Sequence, residues 1–242
     1  MLKIGIIGSK GRMGQAIATA AQEAGTEIAG GVDQGGDVSA LAAISGVLID
    51  FSSPAALEGN LVAAAVHGRP IVIGTTGLEE RHHWLIDDAA ADIAVLQTGN
   101  TSLGVNMLAF LVEEAARRLS DEWDIEIIEA HHRHKVDAPS GTALLLGQAA
   151  AKGRNIDLAG HSERGRDGIT GARAKGAIGF SAVRGGSIAG DHDILFASDG
   201  ETITLSHHAQ DRRIFAHGAV KAALWLAKQE KGRYDMKGVL GL

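Results

Sequence analysis

The sequence contains no cysteine. That excludes a disulfide scaffold, a thiolate nucleophile and any zinc site built on thiolates. No run approaches the 18 apolar residues of a membrane-spanning helix, so no membrane partner is expected. Basic residues have no surplus. The 23 Lys and Arg stand against 29 Asp and Glu, for a formal charge of −6, which argues against a nucleic-acid partner. There is no internal repeat, no low-complexity linker and no Gly-x-Ser-x-Gly elbow. With cysteine also missing, covalent acyl transfer has no candidate nucleophile. The first eight residues read as a short apolar strand running into a glycine loop, without the long apolar core of a signal peptide. A cytoplasmic protein is expected.

What is present points to an α/β enzyme. Hydrophobic residues make up 45% and charged residues 21% of 242 positions, enough for a sizeable core in one large domain or two modest ones. Apolar runs of strand length at 2–7, 27–32, 46–51, 70–73 and 93–97 alternate with helical patterns at 13–23, 54–66 and 79–90. Ser53 and Pro54 suit the N-cap and first position of one of these helices. Strands that are apolar on both faces and joined by helices predict a doubly wound, Rossmann-type parallel sheet. After residue 102 the pattern changes. Helices are expected at 105–119 and 140–152, strands at 125–128, 177–183, 193–197 and 202–206, and a long loop at 153–175. Asp199-Gly200 marks a hairpin between the last two strands. The second domain, 103–212, is therefore read as α+β on a mixed sheet. A final helix at 215–228 and the tail, within 213–242, are expected to return and complete the first domain, 1–102.

The glycine excess, 33 residues, is about twice the ordinary share, and close backbone approach to ligands would explain it. Gly8-Ser9-Lys10-Gly11-Arg12-Met13-Gly14 joins the first strand to the first helix. Glycines there permit a tight turn and bring backbone N–H groups against a pyrophosphate at a helix N-terminus. Asp33 closes the second strand at the offset of an acid that binds the adenosine ribose hydroxyls. The alternative is a plain strand-to-helix turn with a surface Asp. Asp33 repels a 2′-phosphate and no Arg follows it in Gln34-Gly35-Gly36-Asp37, so NADH is favoured. Arg12 or Lys10 leaves NADPH open. Gly74-Thr75-Thr76-Gly77 and Thr98-Gly99-Asn100-Thr101-Ser102 lie at two further strand ends, where a nicotinamide ribose and carboxamide could rest against backbone.

The run Glu129-Ala130-His131-His132-Arg133-His134-Lys135-Val136-Asp137-Ala138-Pro139-Ser140-Gly141-Thr142 gathers three of the 11 histidines within four residues. Clustered cations make sense around an anionic ligand. They also lower a His or Lys pKa towards neutrality, which suits proton donation. Ser140-Gly141-Thr142 offers hydroxyls and backbone N–H groups to a carboxylate at a helix start. A zinc site and a solvated basic loop remain as alternatives, and the pairs His82-His83 and His207-His208 show that neighbouring histidines are frequent in this chain. The pair at 82–83 falls in a predicted surface helix and is assigned nothing.

These residues resemble the 4-hydroxy-tetrahydrodipicolinate (dihydrodipicolinate) reductase family over nearly the whole chain. The resemblance rests on Gly8–Gly14 as G-x-x-G-R-M-G, Gly74–Gly77 as GTTG, and Asn100–Asn106 as N-x-S-x-G-V-N. It rests also on Glu129–Thr142 as EAHHRHKVDAPSGT, and on Ile178-Gly179-Phe180, Arg184-Gly185-Gly186 and Gly190-Asp191-His192. It implies NAD(P)H-dependent reduction of a cyclic, unsaturated imine with two carboxylates, in diaminopimelate and lysine synthesis. It implies a pyrophosphate cradle at Gly8, Ser9, Lys10, Gly11, Arg12 and Met13, with Asp33 on the ribose. It implies nicotinamide-side contacts at Gly74, Thr75, Thr76, Thr98, Gly99, Asn100 and Thr101. His131 and Lys135 are implied as the catalytic pair, His132, Gly141 and Thr142 as substrate-binding residues, Arg212 as an arginine at the domain junction, and no metal. A homotetramer formed through the second domain's sheet is implied as well. Two departures stand out. Gln34 replaces the Arg that commonly follows the ribose acid, which weakens the case for NADPH, and the segment from Asp33 to Gly46 is short, which would open the adenine side of the pocket.

Overall fold

A computed structural model describes all 242 residues. The first half alternates as β1 (Lys3–Ile7), α1 (Arg12–Glu23), β2 (Glu27–Val32), α2 (Val38–Ile44), β3 (Val47–Asp50), α3 (Leu57–Val66), β4 (Ile71–Ile73), α4 (Glu80–Ala90) and β5 (Ala94–Gln97). Then come α5 (Leu103–Arg118), β6 (Asp124–His131), α6 (Gly141–Arg154), α7 (Leu158–His161), β7 (Ser162–Arg164), β8 (Ile178–Arg184), β9 (Asp191–Ala197) and β10 (Thr202–His208). The chain closes with α8 (Arg213–Leu226), β11 (Gly232–Tyr234) and α9 (Met236–Leu240). It divides into two compact units, Met1–Leu103 with Arg213–Leu242, and Gly104–Arg212.

In the first unit six strands lie in the order β11-β5-β4-β3-β1-β2, all parallel. Alternation along each strand feeds two separate cores. Ile4, Ile6, Val47, Ile49 and Val72 pack with Ile17 of α1 and with Ala216, Val220 and Leu226 of α8. Ile7, Leu48, Ile71, Ile73 and Val95 pack with Leu41, Leu57, Leu61 and Ile86 of α2–α4. Both faces are covered, which is why these strands read as continuous apolar runs. In register, Ile7 pairs with Val32 on one side and with Asp50 on the other. The next residues, Gly8, Asp33 and Phe51, therefore emerge together at the carboxyl ends, where the strand order reverses and open α/β sheets bind ligands.

The second unit carries a mixed sheet, β10-β9-β6-β8-β7. β6 runs parallel to β8 and antiparallel to β9, and β9 and β10 form the antiparallel pair that flanks Asp199-Gly200. Ile125, Ile127, Ile178, Phe180, Ile194 and Phe196 on one face pack with Leu108 and Val112 of α5 and Leu146 of α6.

Several elements depart from the sequence-based expectation. The 34–45 segment, unassigned there, holds α2, with Asp37 as its N-cap accepting from the Ala40 N–H. The expected loop at 153–175 is interrupted by α7 and by β7, which pairs with β8. The strand expected at 125–128 extends to His131, because Ala130 and His131 stay in the β8 ladder opposite Val183 and Arg184. Ser53 sits at the N-cap of a 3₁₀ turn at Pro54–Ala56, and its side chain makes no capping bond. The tail adds β11 and α9, neither of which carried a sequence signal. No helix is long and apolar enough to cross a membrane.

Candidate active site

The glycine loop is shaped by backbone crowding. Gly8 has φ +83°, and a Cβ there would lie 2.5 Å from the Phe51 carbonyl oxygen. A Cβ on Gly14 would lie 2.3 Å from the carbonyl oxygen of Gly8. No side chain larger than hydrogen fits at either position. Asp33 is anchored to the same loop, accepting from Ser9 Oγ at 2.7 Å and from the Lys10 N–H at 3.1 Å. A cavity of about 600 Å³ opens here, lined by Gly8, Gly11, Asp33, Gln34 and Gly35 and, across from them, by Phe51, Ser52 and Asn60.

The remaining cofactor candidates take different places. Arg12 opens α1 and is exposed, whereas Met13 is half-buried and packs on the first core. Gly74 is buried against the Phe51 ring, which a Cβ would meet at 2.2 Å. Thr75 is buried beside it and Thr76 is exposed. Thr98 and Thr101 are buried and bond within their own surroundings, Thr98 Oγ1 to the Asn100 carbonyl and Thr101 Oγ1 to the Phe215 carbonyl. Asn100 Oδ1 accepts from the Ser102 N–H, and Gly99 is exposed.

Asp50, which carries no motif signal in the sequence, is fully buried at the end of β3. Its carboxylate accepts from the Ser52 N–H and Oγ, from Asn60 Nδ2 and from Thr75 Oγ1. Burial pushes its pKa above the ordinary carboxylate value, and these neutral donors offset that only in part. Asp50 thereby ties three strand-end and helix segments together beneath the cavity.

In the second unit His131 ends β6, buried, and its Nδ1 lies 2.6 Å from Glu129 Oε2. Glu129 is 1% exposed. It also accepts two 2.7 Å bonds from Arg184 and one from the Ser140 N–H. Burial works to raise the Glu129 pKa, but the bonds from Arg184, His131 and Ser140 prevail and hold it below the ordinary range. The His192 ring packs edge-on to His131 at 5.1 Å between centroids, with Nε2 3.1 Å from Ser140 Oγ. Burial, reinforced by His131, pushes His192 down to about 4. Ser140 caps α6 by accepting from the Ala143 N–H, and Gly141 and Thr142 form the first turn.

The other members of the cluster surround this core. Lys135 Nζ is held by Asp137 at 2.8 Å. His132 Nε2 lies 2.8 Å from Arg212 Nη2, and burial together with that cation lowers its pKa. So His131, His132, Lys135, Gly141, Thr142 and Arg212 all belong to one unit, interlocked by Glu129, Arg184, Ser140, Asp137 and His192. Glu129, Arg184 and His192 lie inside the motifs quoted above, but spacing alone gave them no role. No group of three or more His, Asp or Glu side chains is placed to hold a metal ion. His82, expected on a helix surface, is buried and accepts the Glu79 N–H in a capping box of α4.

Comparison with known proteins gives this arrangement a family. Residues 2–101 match the family model described as dihydrodipicolinate reductase, N-terminus, and residues 104–240 match the model described as dihydrodipicolinate reductase, C-terminus. The chain is 56% identical to the 4-hydroxy-tetrahydrodipicolinate reductase of Zymomonas mobilis, across 100% of this chain and 98% of that one. It is 52% identical to the protein of the same name from Acidiphilium cryptum, again across 100% and 98%. Among solved structures it resembles a dipicolinate-bound dihydrodipicolinate reductase from Paenisporosarcina, with a TM-score of 0.75 at 22% identity, covering 98% of this chain and 99% of the other.

Proposed function

Since the chain belongs to the dihydrodipicolinate reductase family, we propose that it is a 4-hydroxy-tetrahydrodipicolinate reductase. On this reading it uses reduced pyridine nucleotide to convert a dicarboxylate cyclic imine into tetrahydrodipicolinate, in the cytoplasm, for diaminopimelate and lysine synthesis. The observation that carries the reading is the cavity at the carboxyl ends of β1, β2 and β3, where Gly8, Gly11 and Asp33 converge.

The residues there fit a dinucleotide. Gly8–Met13 would cradle the pyrophosphate, with α1 behind it supplying N–H groups and a favourable dipole. Asp33 would accept the ribose hydroxyls. Gly74, Thr75, Thr76 and Thr98–Thr101 would border the nicotinamide. The bound cofactor would supply a hydride. The pinned carboxylate at Asp33 and the uncharged Gln34 favour NADH, with NADPH as the weaker donor.

The second unit would do the rest. Each hydride added to the ring must be matched by one proton on the substrate. His131 and Lys135 are assigned that proton delivery, an acid role worth roughly 10²–10⁴-fold in rate. Ser140 is buried and engaged with Glu129, His192 and the α6 cap, so the helix start at Gly141 and Thr142 would hold one carboxylate, and His132 with Arg212 would face the anionic ring. This divides labour between 1–102 with 213–242, for cofactor, and 103–212, for substrate. We further assign a homotetramer joined through the second sheet, whose open face exposes Ile128, Val183 and Ile203. Mass in solution tests it.

The activity is tested by mixing the protein with freshly made synthase product, from pyruvate and aspartate semialdehyde, and following loss of the reduced-nicotinamide absorbance. Turnover with NADH faster than with NADPH is expected. Cofactor binding with no turnover would leave a nucleotide-binding module and refute the enzyme.

A further inference from the structure

Glu129 and Arg184 lie between the two residues assigned to proton delivery. An ionised carboxylate only accepts hydrogen bonds. Glu129 is ionised in this setting, because Arg184 meets it with two parallel 2.7 Å bonds and the Ser140 N–H adds a third. The 2.6 Å contact from His131 Nδ1 to Glu129 Oε2 must then be an N–H donated by the imidazole. Neutral His131 consequently keeps its proton on Nδ1, and the proton it gives up and regains is the one on Nε2. Before Nε2 stands Gly190, with φ +155°, where a Cβ would come within 3.0 Å of that nitrogen. A side chain there would crowd this atom, and the positive φ favours glycine as well.

Arg184 reaches the other way as well. Its Nη2 donates to the Asp137 carbonyl oxygen at 2.7 Å, and the Asp137 carboxylate holds Lys135 Nζ. Asp137 thus meets Arg184 through its backbone carbonyl and Lys135 through its carboxylate. Glu129 and Arg184 are separated by 55 positions and come together through the β6–β8 pairing.

Deepening the reductase reading, on which it rests, we infer that Glu129, held ionised by Arg184, is the positioning residue that fixes the His131 tautomer. The titratable and charged groups around His131 are Glu129 on its own strand, Arg184 from β8, His192 from β9, and the neighbouring His132.

Two experiments test it. In wild-type protein, nitrogen chemical shifts of the His131 ring, assigned by difference from His131→Gln, should show protonated Nδ1 and unprotonated Nε2 in the neutral form. The reverse tautomer overturns the inference, and this measurement does not depend on a variant that folds. In Glu129→Gln the imidazolium loses its anionic partner, so the alkaline limb of the kcat profile should move about one pH unit lower, with KM for the reduced cofactor unchanged. Glu129→Asp should return the limb part of the way. A folded Glu129→Gln enzyme with the wild-type profile contradicts the inference. Full activity in His131→Gln would instead remove the proton-delivery assignment itself, whatever the tautomer.

Discussion

Each unit buries one carboxylate at or near the carboxyl end of a strand beside its candidate site, and the two are treated in opposite ways. Asp50 in the first unit is surrounded by hydroxyl, amide and backbone donors, with no cation among them, and burial raises its pKa. Glu129 in the second is clamped by Arg184 and bonded to His131, and its pKa is lowered despite burial. The first arrangement organises loops around a carboxyl group that no cation pairs with. The second builds a fixed ion pair beside titratable groups, which suits proton transfer. The difference shows that burial alone does not set a carboxylate's state; the charge of its donors does.

Acid stability should break this symmetry most strongly. His192 is pushed from 6.5 to about 4 by burial and by His131. The unfolded chain takes up that proton near 6.5 while the folded unit refuses it until about 4. Stability of the second unit should therefore fall by about 3 kcal/mol as pH drops across that interval. Glu129, with its lowered pKa, continues the loss below the ordinary carboxylate range. Asp50 has the opposite sign, since its raised pKa makes protonation favour the folded first unit. Hydrogen-exchange protection, corrected for intrinsic rates and compared at pH 7 and pH 4, should fall in residues 104–212 well before the first unit. Equal losses in both would contradict the contrast.

A smaller effect separates the two helix starts. Gly14→Ala forces a Cβ onto the Gly8 carbonyl and should cost about 2 kcal/mol, seen in both the first unit's unfolding midpoint and NADH affinity. Gly141→Ala has open space around its Cβ, and the melting temperature should not change. Gln34→Arg adds a cation beside Asp33 and should raise kcat/KM for NADPH relative to NADH by about tenfold, roughly one good charge-assisted bond. Smallest of all, Lys175→Ala removes an exposed pair with Asp121 and should shift stability by less than about 0.5 kcal/mol.

How much of this could be read in advance depended on distance along the chain. The parallel sheet was legible because strands covered on both faces are apolar at every position, as Val47–Ile49 illustrates. The glycine loop and Asp33 were legible because close backbone approach leaves a local signature of glycines and a fixed offset. The mixed second sheet followed from successive strands and the Asp199-Gly200 turn. Helix α2 escaped because Val38–Ile44 is too short to show a period, and β7 because Ser162–Arg164 is polar and pairs only at the sheet edge. The Glu129–Arg184 clamp escaped because its partners meet only when β6 and β8 pair. Asp50 escaped because a lone carboxylate ending an apolar strand does not announce its four donors.

The division of labour is tested most directly by the double variant His131→Gln with Lys135→Met, with kcat and the NADH dissociation constant measured on one preparation. In that variant kcat should fall by roughly 10²–10⁴-fold while NADH binds as it does to the parent chain. Undiminished turnover, or a loss that only mirrors weaker NADH binding, would contradict it.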